Sequence, residues 1–250
     1  MDVKLGIIGG TGLENGLDLG GSTEKHVKSE YTCHGQKNCR GYDATSYYDG
    51  RVFYVNRHAV SMYSNLSAAY PDEIDYRRLI AGLCGEGVTH VVSTSAVGVF
   101  DPSRYMKPGA LAVPNNLIDY LNPDCSVDIP GKSREYADFS EPFDFELRDG
   151  LLVAGRRNGV VLADSGLYVR RRCGRIFETS AEVEETAKMN QGKLLYFGMT
   201  VPQEAAVARL LGIKYATVVA ATNLAAGVGA EITHDDNKEV FQMSISDIIF

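Results

Sequence analysis

Apolar residues along this 250-residue chain fall into short runs separated by turns rich in glycine, proline and polar residues. Seven runs read as strands: Lys4–Gly9, Arg51–Asn56, Val88–Ser95, Ala110–Pro114, Gly159–Ala163, Lys193–Phe197 and Lys214–Thr222. They are dense in β-branched residues, as expected of buried strands. Three segments show helical periodicity instead. Pro71–Gly87 has proline and acids in its first turn, an apolar face at Ile74, Leu79, Ile80 and Leu83, and a glycine stop. Thr179–Asn190 opens with Thr-Ser, carries acids early and a lysine late, as the helix dipole favours. Pro202–Gly212 has proline at its start and glycine just past its end. Strand–helix alternation of this kind predicts an α/β sandwich around a mostly parallel or mixed sheet. No internal repeat or low-complexity linker divides the chain, so residues 1–250 read as one domain. Asn115–Gly155 reads as loop-rich, and loops of that length usually carry function or meet a partner.

Composition narrows the choice. Lysine and arginine number 25 against 32 acids, a net charge of −7. Such a surface has no general attraction for nucleic acid or anionic lipid, so any anion site must be local and built from specific groups. Five scattered cysteines without a CxxC fit free thiols in a reducing compartment, and a cytoplasmic location is expected. Cys33, His34 and Cys39 lie close in sequence, but no metal site is expected there. No apolar run reaches the roughly 18 residues that span a membrane, and Met1 leads straight into a strand rather than a signal peptide.

The first strand ends in GIIGGTGLENG, Gly6 to Gly16. Glycines here permit tight backbone geometry, and Thr11 offers a hydroxyl. A dinucleotide loop asks for GxGxxG opening a helix. The spacing here differs, and the glycine-rich continuation is a poor helix. Arg57-His58 follows a strand, where a guanidinium can hold phosphate with paired donors. Thr200 stands at a helix start, a position suited to anions or to ordinary capping. Glu178 precedes the Thr179 helix, behind Phe177. Asn223 ends a buried strand, where its amide can both donate and accept toward a heterocycle. His234 lies at a further helix start, within EITHDDNKEV.

In this order, GIIGGTGL, RHAVS, VTHVVSTSAVG, SEPFD, FETSAE, GMTVPQEAAVAR, ATN and THDD resemble the trimeric purine nucleoside phosphorylase / methylthioadenosine phosphorylase family. The resemblance implies a three-layer α/β sandwich around a central mixed β-sheet. It implies phosphate-dependent cleavage of a purine N-glycosidic bond, with inorganic phosphate as co-substrate and no metal or other cofactor. Thr11, Arg57, His58, Ser95 and Thr200 would hold phosphate. Ala96, Phe177, Phe197 and Met199 would line base and ribose. Glu178 and Asn223 would hydrogen-bond the purine, and His234 would meet the ribose 5′-hydroxyl. Asn223, Glu178 and His58 are the implied catalytic set. The expected partners are nucleoside, phosphate and further copies of the chain, as a trimer or an assembly of trimers. An aromatic from the Tyr136–Phe143 loop is expected to complete a neighbouring site.

Within the family, Glu178 with Asn223 resembles the pattern for 6-oxopurine nucleosides such as inosine and guanosine. The N-terminal segment resembles the methylthioadenosine branch, so 5′-methylthioadenosine or 5′-methylthioinosine remains the alternative. Some segments depart from the family. Ala59 replaces the usual glycine after Arg-His, and RRRCGRIFET lacks the usual Gly-Pro. Those departures keep open a homologue that binds nucleoside without turning it over.

Overall fold

The computed structural model describes residues 3–13, 21–63, 68–128 and 136–229. The N-terminal half contributes β1 (Leu5–Gly9), β2 (Thr23–Val27), the hairpin β3 (Tyr31–Cys33) and β4 (Gln36–Asn38), β5 (Tyr42–Tyr47), β6 (Val52–Asn56), helix α1 (Tyr76–Gly85) and β7 (His90–Phe100). After these come β8 (Leu111–Ala112), β9 (Asn116–Asp119), α2 (Phe145–Arg157), β10 (Leu162–Ala163), β11 (Leu167–Arg170), α3 (Ser180–Met189), β12 (Leu195–Phe197), α4 (Val201–Leu210) and β13 (Lys214–Leu224).

The main sheet runs β10-β8-β13-β7-β1-β6-β5-β2, with β12, β11 and β9 branching from β7. Its centre is parallel: β1 pairs with β6 and β7, and β7 pairs with β13. The flanks are antiparallel, at β5–β6, β2–β5, β8–β13 and β7–β12. The sheet is therefore mixed, as expected.

Alternate side chains of β7 and β13 face opposite ways, as strand geometry requires. Val91, Val97, Tyr215, Val219 and Ala221 pack with Leu79, Ile80 and Leu83 of α1 and with Ala205 and Val207 of α4. Val92, Val218 and Ala220 pack instead with Leu152 of α2. Helices on both faces of the sheet make three layers. The α3 helix covers the branch, setting Val183 against Leu167, Val169, Leu195 and Phe197.

Two expectations need adjustment. The segment Asn115–Gly155 is loop-rich as expected, but it also holds β9 and most of α2. Gly150 and Gly155 weaken the helical pattern of α2, and only Leu152 and Gly155 are fully buried, so its apolar stripe is thin. Helix α1 begins at Tyr76 rather than near Pro71. Ser61 bridges Ile74, which holds that segment extended, and Asp75 then caps the helix by accepting from Arg78 N at 3.0 Å.

Leu83 is fully buried and sits 3.1 Å from where a β-carbon on Gly6 would stand, locking α1 onto β1. Leu83→Ala is expected to lower stability by about 2–5 kcal/mol, read from chemical denaturation.

Candidate functional site

The glycine turn after β1 is closed by Leu13 N donating to Gly10 O at 3.0 Å. Gly10 N donates to Thr94 Oγ1 of β7 at 3.1 Å. A β-carbon on Gly10 would lie 2.4 Å from Arg57 Nη1 and 3.0 Å from Thr94 O. Glycine is thus required here by the guanidinium packed under the turn. Thr11 is half-buried and makes no hydrogen bond among the described residues.

Arg57, at the end of β6, is buried. Its Nε donates to Glu204 Oε1 at 2.6 Å, its Nη2 to Glu204 Oε2 at 3.0 Å and its Nη1 to Thr94 O at 2.7 Å. Glu204 is fully buried in α4 and also accepts from Tyr215 Oη at 2.7 Å. Burial opposes the charge on Arg57, but the Glu204 carboxylate outweighs it and holds the guanidinium protonated. Removing one partner of such a pair costs about 3–5 kcal/mol, because the other charge is left buried and uncompensated.

Ser95 and Thr200 meet through a residue not singled out in the sequence. Tyr168 Oη lies 3.1 Å from Ser95 Oγ and accepts from Thr200 N at 3.2 Å. Thr200 is the N-cap of α4, yet its side chain caps nothing. Its Oγ1 is buried with no hydrogen-bond partner. An orphaned hydroxyl at a helix N-terminus, beside Ser95 and with Arg57 tied into the same helix, has the chemistry to receive an anion. His58 stands next to Arg57, and its Nδ1 donates to Ala69 O at 2.8 Å, so that nitrogen carries a proton.

A second group gathers at the ends of β7, β12 and β13. Gly98 is in register with Phe197 of β12 and with Asn223 of β13. The β13 register shifts between Ala221 and Asn223, which turns the end of the strand. A β-carbon on Gly98 would lie 2.9 Å from Asn223 Nδ2. Asn223 Oδ1 accepts from Thr222 Oγ1 at 2.9 Å, and Nδ2 donates to Leu224 O at 2.7 Å. That leaves one amide hydrogen and one lone pair without an acceptor or donor among the described residues.

Glu178 precedes the capping box in which Thr179 and Glu182 satisfy each other's backbone. Its half-buried carboxyl is raised above the usual glutamate range by burial, against backbone hydrogen bonds from itself and Ala226. Ala226 follows Asn223 by three residues, so the Glu178 carboxyl is tied to the segment that leaves β13. Phe197 is buried, Met199 and Ala96 are half-buried, and Phe177 is exposed. Ala96 packs toward the α2 side of the sheet. His234 lies outside the described residues.

The unusual arginine run before Phe177 is structural. Arg170 grips Asp119 with two hydrogen bonds of 2.9 and 2.7 Å. Arg171 donates to Thr186 and Glu185 and stacks 3.6 Å from the Tyr120 ring centre. Arg172 pairs with Glu182. These contacts dock the segment carrying Phe177 and Glu178 onto α3. Of the expected interface aromatics, Phe143 is committed to its own core against Tyr215, whereas Tyr136 is exposed.

Two other features lie apart. Cys33 and His34 come together with Asp124 rather than Cys39, their ligand atoms within 4.8 Å of one another. His34 Nε2 and Arg77 Nη2 share Asp124 Oδ2 at 2.5 and 2.9 Å, so the carboxylate already has a cationic partner. A cleft of about 1540 Å³ bounded by Asp101, Asn115, Arg148 and Lys193 includes none of the candidate residues in its lining. No helix among the described residues is long and apolar enough to cross a membrane.

Tyr168, Glu204 and Tyr215 went unread in the sequence. The signal for Glu204 was the single acid in PQEAAVARLLG. Tyr168 sits in a run of four that is too short to announce a strand.

Comparison with known proteins places these groups in context. The family described as the phosphorylase superfamily matches residues 4–248. A probable S-methyl-5′-thioinosine phosphorylase of Methanopyrus kandleri is 31% identical over 246 residues, covering 96% of this chain and 85% of that one. A 6-oxopurine nucleoside phosphorylase of Pyrococcus furiosus is 36% identical over 187 residues, covering 72% and 68%. The methylthioadenosine phosphorylase of Schistosoma mansoni, solved with adenine, shares the fold with a TM-score of 0.77 at 21% identity, covering 99% and 89%.

An unpartnered hydroxyl contributes little to folding, so Thr200→Val is expected to change stability by less than about 1 kcal/mol. Inorganic phosphate should raise the melting temperature of the native chain and fail to raise that of the variant. A phosphate shift of equal size in both would remove Thr200 from the anion site.

Proposed function

This chain belongs to the phosphorylase superfamily, and from that premise we propose that it cleaves 6-oxopurine nucleosides such as inosine and guanosine with inorganic phosphate, releasing the purine and ribose 1-phosphate. It is a pentosyltransferase of the nucleoside phosphorylase type. The choice of base is carried by Asn223. An amide with one hydrogen and one lone pair to offer suits a base with a carbonyl at C6. A carboxylate, which only accepts, suits a 6-amino base. The M. kandleri and P. furiosus relatives are both named for 6-oxopurine substrates, since thioinosine keeps the hypoxanthine base.

In this reading Thr11, Arg57, His58, Ser95 and Thr200 seat phosphate below the sugar. A phosphate oxygen forms a bond to C1′ as the bond from C1′ to the purine N9 breaks. The bonding pair leaves with the base, and the sugar passes through an oxocarbenium-like state. Phosphate stabilises that positive charge before it attacks. The negative charge developing on the purine is met by the Asn223 amide at N7, which is stabilisation of the transition state rather than the ground state. Glu178, ionised, accepts from the purine edge. Phe177, Phe197, Met199 and Ala96 bound base and ribose, and His234 meets the 5′ position. The active form is a homo-oligomer in which exposed Tyr136 reaches a neighbouring copy.

The M. kandleri relative favours a second reading, S-methyl-5′-thioinosine as substrate, which changes the 5′ group and leaves the base contacts alone. Inosine, guanosine, adenosine, methylthioadenosine and methylthioinosine, each assayed with and without phosphate, separate the two. The 6-oxopurine nucleosides should be turned over at least about tenfold faster than the 6-amino ones, a difference of about 1.4 kcal/mol in the barrier. Asn223→Asp should shift that preference toward 6-amino bases, and an unchanged preference would take Asn223 out of base recognition.

The raised Glu178 carboxyl gives a pH test. Its ionised form is the acceptor, so nucleoside KM should climb as pH falls through a value above the ordinary glutamate range. In Glu178→Gln that acid limb should vanish from the KM profile. Its persistence would assign the limb to another group.

A further inference from the structure

Arg57 has five N–H donors in a planar fork. Glu204 takes the pair on its side edge, Nε to Oε1 at 2.6 Å and Nη2 to Oε2 at 3.0 Å. Thr94 O takes one hydrogen of Nη1 at 2.7 Å. One hydrogen on Nη1 and one on Nη2 are left without an acceptor among the described residues. The Nη2 hydrogen lies on the end of the fork, the edge whose geometry suits the oxygens of a phosphate.

The group that sets this orientation is itself held. Glu204 Oε2 accepts from Tyr215 Oη at 2.7 Å, and Tyr215 Oη lies 2.5 Å from Ser93 Oγ. Ser93 Oγ in turn lies 3.0 Å from Thr217 Oγ1. Every member of this chain is buried. It runs from the first turn of α4 into adjacent strands β7 and β13, so the carboxylate is anchored to the centre of the sheet. A free arginine has many rotamers to lose on binding an anion. Here that ordering is already complete.

We propose that Glu204 is a positioning residue for phosphate: it occupies the side edge of Arg57 so that the end edge faces the anion, and Tyr215 fixes Glu204 in turn. This rests on the assignment of Arg57 to the phosphate site made above. Glu204 also cancels the charge of Arg57, so the anion is bound by directed hydrogen bonds rather than by net charge. Geometry therefore sets affinity, and a small rotation of the guanidinium is costly.

The test is steady-state kinetics with phosphate and nucleoside varied separately, supported by thermal unfolding. In Glu204→Gln the KM for phosphate should rise about tenfold or more, while the KM for nucleoside stays within about twofold. Glu204→Asp keeps the charge on a shorter arm and should share the rise, which an effect of charge alone would not produce. Tyr215→Phe leaves both charges in place, so it decides the matter if the Glu204 variants do not fold. It should raise phosphate KM by about threefold with nucleoside KM unchanged. Arg57→Lys reports on the underlying assignment. If Arg57→Lys raises phosphate KM and the Glu204 and Tyr215 variants do not, positioning is overturned and Arg57 remains the phosphate ligand. If none of the variants moves phosphate KM, the assignment of Arg57 falls as well. Tighter phosphate binding in Glu204→Gln would also overturn positioning, showing that the carboxylate restrains the site by its charge.

Discussion

A guanidinium shut away from water must have its charge answered, and in this protein the answer organises the site. Arg57 lies under the glycine turn of β1, with its Nη1 so close to Gly10 that any side chain there would collide with it. Its counter-charge comes from Glu204, 147 residues further along the chain. The pair therefore joins the end of β6 to the first turn of α4, across the strands between them. A buried pair of this kind is weak evidence of stability, because desolvation of both ions offsets their attraction. What it supplies is placement. The glycine turn, the threonine pair at 94 and 200, and the N-terminus of α4 are held around one guanidinium.

The second half of the candidate site depends on strand register. Gly98 is the point where β7 meets β12 on one side and β13 on the other, and its missing side chain leaves room for the Asn223 amide. Thr94 and Ser95 lie only a few residues earlier on the same strand. A single eleven-residue strand thus carries residues of both halves. Brought to the carboxyl ends of parallel strands, such residues occupy the place where ligands of open α/β sheets usually bind. Solved relatives under a quarter identical support the fold, and the match across residues 4–248 supports the family.

Much of this was legible in the sequence, for identifiable reasons. The central strands β1, β6, β7 and β13 are buried on both faces and so read as continuous apolar runs. The edge strand β2 is exposed at four of its five positions, from Thr23 to His26, and gives no such signal. Helix α2 was hidden by its two glycines. Motif order singled out Arg57, Ser95, Thr200, Glu178 and Asn223 as candidates, but motifs say nothing about what a side chain spends its hydrogen bonds on. Glu204 reads as an ordinary first-turn acid, and only the fold shows it buried against Arg57. Tyr168, linking Ser95 to Thr200, needed the three-dimensional meeting of β7, β11 and α4. The arginine run at Arg170–Arg172 looked like a departure from the family, yet each member has an acidic partner that fixes the segment leading to Glu178.

The central claim is that one site brings free phosphate to a purine nucleoside, and stoichiometry tests it most directly. Phosphorus NMR of the protein with inosine and inorganic phosphate should show one phosphate converted to a sugar phosphate ester for each hypoxanthine released, with no release when phosphate is withheld. Hypoxanthine released at the same rate without phosphate, with free ribose as the other product, would contradict the account and make water the attacking group.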